Sequence, residues 1–203
     1  MIKLLINPIR QVSIVFCIVS LVFSQDFAKV ITVSSSVSSQ NLSFGFSQYA
    51  TDGYDEGSEP FENDNNCSST WQEGDTYYDV NGNDIQDVID AYAPPAPPPP
   101  AFDAAFLVNA ERYYNQIFYG DGDDSTEHEW PISLQYAEDN IITITWNNTG
   151  WEGLGDFYLQ DAFGGTMINI DMADLDPADV NAMAGTLDTS DPSNPVLTLT
   201  SSM

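Results

Sequence analysis

The sequence predicts an all-β protein, a single antiparallel β-sandwich of the immunoglobulin-like or jelly-roll-like kind, with a long acidic loop and a polyproline connector. Apolar and polar residues alternate over many short runs, which is typical of strands with one buried face. Glycine-rich breakers separate these runs, and no window of helical length carries an apolar stripe with i, i+3, i+4 spacing. The chain has 203 residues, of which 42% are hydrophobic, so one domain with a packed core is expected.

Each alternating run places its apolar residues at every second position, and hence on one face of a strand. In chain order the runs cover residues 42–46, 102–108, 130–136, 142–146, 157–159, 168–172 and 197–199. Seven or eight such strands with turns between them are typical of a β-sandwich. Residues 174–184 are the best candidate for a short helix, because Pro177 can occupy its first turn.

Residues 1–24 have the features of a secretory signal peptide. Lys3 and Arg10 precede an apolar run at 13–23, and the small residue Ser24 ends the segment. The run is shorter than a membrane-spanning helix, which needs about 20 apolar residues, and no later segment is apolar enough to span a bilayer. The sequence therefore predicts a secreted protein, extracellular or at the cell surface, with no membrane span.

The charge balance excludes one large class of partners. The chain has 31 Asp and Glu against 4 Lys and Arg, a net charge of −27, so it lacks the basic surface that nucleic-acid binding requires. Cleavage of the leader would leave Lys29 and Arg112 as the basic residues. It would also remove Cys17 and leave Cys67 without an intrachain partner, so no disulfide stabilises the exported domain.

The chemistry of the side chains argues against an enzyme. The single histidine, His128, has glutamates on both sides, and no Ser or Cys nucleophile motif accompanies it. No phosphate-binding glycine loop is present. Pairs of carboxylates can hydrolyse glycosides, but a chain with 31 acidic residues brings carboxylates together by chance. We therefore expect a protein that is not an enzyme.

Composition divides the exported part of the chain into segments. Residues 25–41 hold an N-terminal strand and a Ser-rich tether, and residues 42–203 form the β-sandwich domain. Within that domain, residues 51–90 are an acidic insertion of a length that is generally functional or stabilised by a ligand. Residues 94–100 are nearly all proline, which predicts a stiff polyproline II connector or, as an alternative, a ligand for a proline-recognition domain.

The segment 79–90 has the ligand spacing of a twelve-residue calcium loop. A tight turn directs alternate oxygen ligands toward one hard cation. The predicted ligands are Asp79, Asn81, Asn83, Ile85 through its carbonyl, Asp87 and Asp90. Because Asp84 stands where glycine usually makes the turn and no flanking helices are evident, the loop resembles those of dockerins and thrombospondin-type repeats more than a helix–loop–helix site.

Asp52, Asp55 and Glu56 form a second acidic group that can join the same site or form its own. A strongly anionic domain without a disulfide repels itself, and bound divalent cations relieve that repulsion. We therefore expect Ca²⁺ as the cofactor. The alternative is that 79–90 is a solvated acidic turn.

Several motifs resemble a module of secreted surface proteins of Gram-negative bacteria, which are often type IX secretion cargo. An ATDG segment at 50–53 is followed by DAYAPPAPP at 90–98, and FDA at 102–104 comes next. A W-x-I strand at 130–132 and an ITITW strand at 142–146 complete the pattern. The resemblance implies a β-sandwich and no particular activity; this chain departs from it by the acidic insertion and by the lack of the usual C-terminal sorting domain.

Two functions fit a secreted anionic β-domain. The first is a structural subunit of an extracellular filament or surface assembly, in which the strand of Val30, Ile31 and Val33 completes a neighbour's sheet and head-to-tail repetition gives a homo-oligomer. In the alternative for this strand, it is the domain's own first strand. The second function is a monomeric calcium-stabilised module for adhesion or carbohydrate binding.

Overall fold

A computed structural model describes residues 2–7, 27–47, 50–54, 90–120, 127–151 and 155–200. The all-β class is confirmed: these residues form strands, turns and one short 3₁₀ helix, with no α-helix among them. The strands are β1 (Ile2–Asn7), β2 (Phe27–Ser34), β3 (Ser39–Ser47), β4 (Ala91–Tyr92), β5 (Asp103–Val108), β6 (Glu111–Tyr119), β7 (His128–Gln135), β8 (Ile141–Trp146), β9 (Asp156–Asp161), β10 (Asn169–Asp171), β11 (Gly185–Asp188) and β12 (Val196–Thr200).

The described strands belong to one continuous sheet, which curls into a half-barrel. Their order is β10-β9-β1-β7-β5-β6-β3-β2-β8-β12-β11, and β4 pairs with β6 outside this path. The pairing is antiparallel as the sequence predicts, except that β3 and β6 run parallel. The described residues thus show one curled sheet, and closure into the two stacked sheets of a sandwich is not shown.

Alternation of side chains builds one hydrophobic core among the described residues. Phe44 of β3 lies near its centre, with ring centroids 5.6 Å from Trp130, 6.1 Å from Trp151 and 6.5 Å from Phe106. All four side chains are buried. Edge-to-face and tilted contacts of this kind add about 0.5–1.5 kcal/mol per pair to the burial of aromatic area. The core therefore joins β3, β5 and β7 through aromatic packing as well as through strand pairing.

The predicted short helix is reduced to one turn. Pro177–Asp179 form a 3₁₀ helix, and the carboxylate of Asp176 caps it by accepting a hydrogen bond from the main-chain N–H of Ala178 at 2.8 Å. The next residue, Val180, returns to extended backbone and pairs with Ile168. Proline favours the first turn, but the strand-like position of Val180 prevents the helix from continuing.

The polyproline connector lies against the sheet between β4 and β5. The amide Nε2 of Gln135 in β7 donates to the carbonyls of Pro97 at 3.0 Å and Ala101 at 2.6 Å. The N–H of Ala93 donates to the carbonyl of Arg112 at 2.8 Å. The segment is therefore attached at both ends. Among the described residues, no helix has the length and apolar character needed to cross a membrane.

Candidate functional site

The acidic insertion leaves the described part of the chain at Tyr54 and re-enters it at Asp90. Of the predicted calcium ligands, Asp52 and Asp90 are described, and Asp52 is exposed. The others lie outside the described residues: Asp55, Asp79, Asn81, Asn83, Ile85 and Asp87. Among the described residues, no three His, Cys, Asp or Glu side chains are grouped closely enough to hold a metal ion.

Asp90 anchors the returning end of the insertion. Its side chain is fully buried, and Oδ1 accepts a hydrogen bond from the main-chain N–H of Ile117 at 2.8 Å. Its Oδ2 accepts from Nε2 of Gln116 at 3.1 Å, and the same Nε2 donates to the carbonyl of Gly53 at 3.1 Å. Gln116 therefore connects the outgoing and returning ends of the insertion.

Three tyrosines, Tyr54, Tyr92 and Tyr113, stack where the two ends of the insertion meet. The rings of Tyr54 and Tyr92 are parallel within 10° at a centroid distance of 4.2 Å, and Tyr92 stacks on Tyr113 at 4.9 Å. The hydroxyls of Tyr92 and Tyr113 donate to Oε2 of Glu111 at 2.8 and 3.1 Å. Burial, together with the hydrogen bonds to Tyr92 and Glu111, raises the pKa of Tyr113 far above its ordinary value.

We call Gly53, Tyr54, Asp90, Tyr92 and Gln116 the insertion clasp. The rings of Tyr54 and Tyr92 stack face to face. The side chains of Asp90 and Gln116 form a hydrogen bond with each other, and they also bond main-chain groups of Ile117 and Gly53. These contacts hold the two ends of the acidic segment side by side. A loop with fixed ends loses less entropy when it binds an ion than a free one does.

The predicted strand-exchange residues lie in β2, which pairs with β3 on one side and β8 on the other. Ile31 and Val33 point into the core and are fully buried. Val30 points to the opposite face and is 45% exposed. In this structure β2 is therefore an interior strand of its own sheet.

The serine tract that the sequence predicts as a flexible tether forms a turn between β2 and β3. The N–H of Ser35 donates to the carbonyl of Ser38 at 2.8 Å, and Oγ of Ser35 accepts from the N–H groups of Val37 and Ser38. The N–H of Ser36 donates to the carboxylate of Asp139 at 3.0 Å, and the hydrogen bonds from Ser36 lower the pKa of Asp139. Serine occurs both in flexible tethers and in turns, because its hydroxyl can accept hydrogen bonds from the main-chain N–H groups of a turn in place of water.

The strand β1 lies inside the segment that the sequence predicts as a leader, and it runs antiparallel between β7 and β9. Position 4 is paired with Trp130 on one side and Leu159 on the other. Position 2 is paired with Ile132, and position 6 with Phe157. These four partners are all fully buried. β1 thus occupies a place one strand wide. The main-chain edges of β7 and β9 lie on its two sides, and its partners there include buried apolar residues.

The outer surface of β3, β2, β8, β12 and β11 is lined mostly by hydroxyl and amide side chains. Directly paired residues of antiparallel strands point to the same side, so the register forms cross-strand rows. One row is Ser39, Ser34, Thr143, Thr198 and Thr186. The next is Asn41, Thr32, Thr145, Val196 and Asp188. We call these ten residues the hydroxyl face; Asp188, at one edge, is the charged residue among them.

A shallow groove of about 480 Å³ lies at one end of the hydroxyl face. It is lined by Val30, Thr32, Thr145, Trp146, Asn147, Asn194 and Val196. The amide Nδ2 of Asn147 donates to Oδ1 of Asn194 at 2.9 Å, and Oδ1 of Asn147 accepts from the N–H of Thr149 at 3.0 Å. The lining residues carry no charge, although Asp191 accepts from the Asn194 amide at 2.9 Å beside the groove.

Comparison with known proteins gives no relative: no protein-family model matches the chain, and no curated protein or solved structure is significantly similar to it. The resemblance to secreted Gram-negative surface modules stays a prediction.

Two features of this surface were not predicted from the sequence. The clasp requires Gln116 to contact residues 53 and 90, and nothing in the local pattern signals such distant contacts. The hydroxyl face has a visible signal, because ITIT at 142–145 and LTLT at 197–200 place threonine at every outward position. That pattern predicts a polar outer surface; the register adds that Thr143 of β8 and Thr198 of β12 lie side by side.

Proposed function

We propose that the chain is an exported structural subunit of an extracellular filament or surface assembly, in which a neighbouring subunit adds a strand to its sheet. The observation that carries this proposal is the place of β1. The leader predicted at 1–24 includes Ile2–Asn7, so the processed subunit would lack a strand between β7 and β9. We call this place the strand gap.

An unfilled strand gap is costly for two reasons. The edges of β7 and β9 that face it carry main-chain N–H and C=O groups, which need partners. The core residues Trp130, Phe157 and Leu159, all fully buried beside β1, would meet water. An added strand of about six residues with apolar side chains at alternate positions satisfies both needs. Repetition of one such head-to-tail contact builds a fibre.

The donor that the sequence predicts is the N-terminal strand with Val30, Ile31 and Val33. This donor gives a route separate from the strand gap: donation of β2 would begin by opening the turn at 35–38, and the β2 of a neighbour would refill the place between β3 and β8. A cysteine pair tests this route. Thr32 and Thr145 are direct cross-strand partners, so cysteines there, in a Cys67→Ser background, can be joined by a short thiol crosslinker. Exchange of β2 gives crosslinked multimers, whereas a retained β2 gives crosslinked monomers.

Calcium bound by the acidic insertion is part of the same proposal. The insertion clasp holds the ends of the segment together, and the net charge of −27 favours cation binding somewhere on the chain. Millimolar calcium is expected to raise the melting temperature, and a chelator to lower it. The variant Asp79→Asn/Asp87→Asn should lose that response, and Asp156→Asn, an exposed acid of β9, should keep it. Equal melting with calcium and with chelator would contradict the calcium part.

Assembly of the processed chain tests the main proposal. Residues 25–203 and the full chain 1–203 are compared by sedimentation and by negative-stain electron microscopy. The shorter chain should form fibres or oligomers above a critical concentration, and the full chain should stay monomeric because β1 fills the strand gap. Two folded monomers of equal sedimentation coefficient over the same concentration range would contradict strand addition.

A second candidate function is a monomeric adhesion or carbohydrate-binding module. The observation that favours it is the uncharged groove on the hydroxyl face, where Asn147 and Asn194 are held in fixed orientations. This candidate predicts ligand binding whether or not the chain assembles.

A further inference from the structure

We propose that the hydroxyl face and its groove bind a neutral polysaccharide chain. The inference deepens the second candidate function, on which it rests, by naming the site and the class of ligand. It does not depend on strand addition or on calcium.

Charge selects the class of ligand. A chain with a net charge of −27 repels polyanions. The groove is lined by uncharged side chains, so it provides neither the cations that an acidic ligand needs nor a cluster of carboxylates for a basic one. A neutral ligand approaches without an electrostatic penalty and needs only hydrogen bonds and apolar contact.

The polar groups of the groove suit sugar hydroxyls. Hydroxyl and amide side chains both donate and accept hydrogen bonds, as sugar hydroxyls do. The Asn147 amide is oriented by its bonds to Thr149 and Asn194, and it uses one of its two Nδ2 hydrogens in the latter. The second hydrogen can be donated to a ligand. A donor that is already oriented costs less conformational entropy on binding.

The apolar groups of the groove suit the C–H faces of pyranose rings. Val30 of β2 is 45% exposed. Val196 of β12, on the other side of β8, is partly exposed. With Thr32 and Thr145 between them, these side chains make a surface that alternates between apolar and hydroxyl-bearing. The volume of about 480 Å³ lies within the range of small-ligand sites, roughly 300–1,000 Å³.

The rows of the hydroxyl face extend the site beyond the groove. Neighbouring strands are about 4.8 Å apart, and outward positions along one strand about 6.8 Å apart. Thr143 and Thr198 are direct partners in one row, and Thr186 continues it on β11. A regular array of this kind can meet the repeated hydroxyls of a polymer at several points. Each contact with an open, shallow surface is weak, so repeated subunits would increase the avidity.

Titration of neutral hexasaccharides into the ¹⁵N-labelled full chain 1–203 tests the inference. The probes are cellohexaose, chitohexaose and maltohexaose, with a hexamer of galacturonate as the acidic comparison. At least one neutral probe should cause saturable amide shifts in β2, β8 and the turn that contains Asn194. Thr145→Glu should weaken that binding by about tenfold or more, because it adds an uncompensated charge beside the ligand. Thr166→Glu, an exposed threonine between β9 and β10, should leave it unchanged.

The inference is overturned if none of the three neutral probes binds, if the shifts lie elsewhere, or if Thr145→Glu and Thr166→Glu behave alike while both melt as the parent chain does. It is also overturned if the galacturonate hexamer binds more tightly, or if sedimentation shows that the hydroxyl face is covered in a dimer that Thr145→Glu dissociates. If binding fails while residues 25–203 still assemble, this inference falls and strand addition stands.

Discussion

The two halves of the curled sheet depend on different parts of the chain. From β6 through β3, β2, β8 and β12 to β11, residues 27–200 make every pairing in the described order. In the other half, β7 and β9 are joined through β1, which belongs to the predicted leader. The first half is complete without the predicted leader, and we propose that its regular outer surface binds a ligand. The second half is completed by a segment of the predicted leader, and we propose that it mediates assembly.

Removal of residues 1–24 should change the difference in hydrogen-exchange protection between the two halves, and this is the largest effect that we expect. At a dilution that keeps the protein monomeric, the amides of β7 and β9 that face the strand gap should lose hydrogen-exchange protection by several orders of magnitude. The amides of β2, β8 and β12 should keep theirs, because their partners remain. The measurement is hydrogen exchange with residue resolution on 25–203 and 1–203. A uniform change in both halves would contradict the comparison.

Arg112→Leu should have the next largest effect. Its Nη2 contacts both carboxylate oxygens of Asp103 at 2.8 and 2.7 Å, and the two side chains are 18% and 8% exposed. The variant leaves a largely buried carboxylate without its cation and should lower the free energy of unfolding by about 3 kcal/mol. Urea denaturation measures this loss. The double variant Asp103→Leu/Arg112→Leu should recover most of it, and a double variant as unstable as the single one would contradict the ion-pair explanation.

The stabilisation that Asp161 gives to the β9–β10 connection depends on pH. Burial opposes ionisation, but N–H groups of Met167, Ile168 and Phe163 donate to the carboxylate at 2.6, 2.8 and 2.6 Å, and together they lower the pKa of Asp161. A lowered pKa in the folded state means that the stabilisation is present above the unfolded value of about 3.9 and is lost as the pH falls through the folded value.

Asp161→Asn should therefore cost about 1–3 kcal/mol at pH 7 and much less at pH 2. Urea denaturation of the variant and the parent chain at both pH values measures the difference. Asp156→Asn, also on β9 but exposed, is the matched control and should cost little at either pH. An equal loss at pH 7 and pH 2 would show that the carboxylate's charge is not what holds the loop.

Thr143→Val on the hydroxyl face should have the smallest effect on stability. The side chain points outward and is partly exposed, so the free energy of unfolding should change by no more than about 0.5 kcal/mol. Its neighbour Ile144→Ala, on the buried side of the same strand, should cost about 2–5 kcal/mol. Thermal melts of the two variants check the contrast. A large loss from Thr143→Val would mean that the face is structural, not a surface available to a ligand.

The strands that the sequence predicts well are those with one buried and one open face. In β8, Ile142, Ile144 and Trp146 are buried while Thr143 and Thr145 face outward, so the alternation in the sequence is the alternation in the fold. The strand β6 lacks this signal, because Gln116, Ile117 and Phe118 are three successive buried residues. Gln116 is polar yet buried, since it holds Gly53 and Asp90, and it interrupts the apolar pattern.

The features that the sequence does not predict depend on residues far apart in the chain. The segment Ile2–Asn7 has the composition of a leader. Only the register of this segment with β7 and β9 identifies it as a strand. The groove requires Thr32 beside Thr145 and Asn147 beside Asn194, contacts that local patterns do not encode. The calcium ligands at 79–87 were predicted from spacing alone and stay a prediction, because they lie outside the described residues.

The most direct test of strand addition is to return the missing strand as a separate molecule. A synthetic peptide of residues 1–8 is titrated into monomeric 25–203, with a Leu4→Lys peptide as the matched control, because position 4 pairs with Trp130 and Leu159. We expect that the parent peptide binds saturably, restores exchange protection in β7 and β9 and stops growth of the assembly, and that the control peptide does none of these. Failure of the parent peptide to bind, with β7 and β9 already as protected in 25–203 as in the full chain, would contradict it.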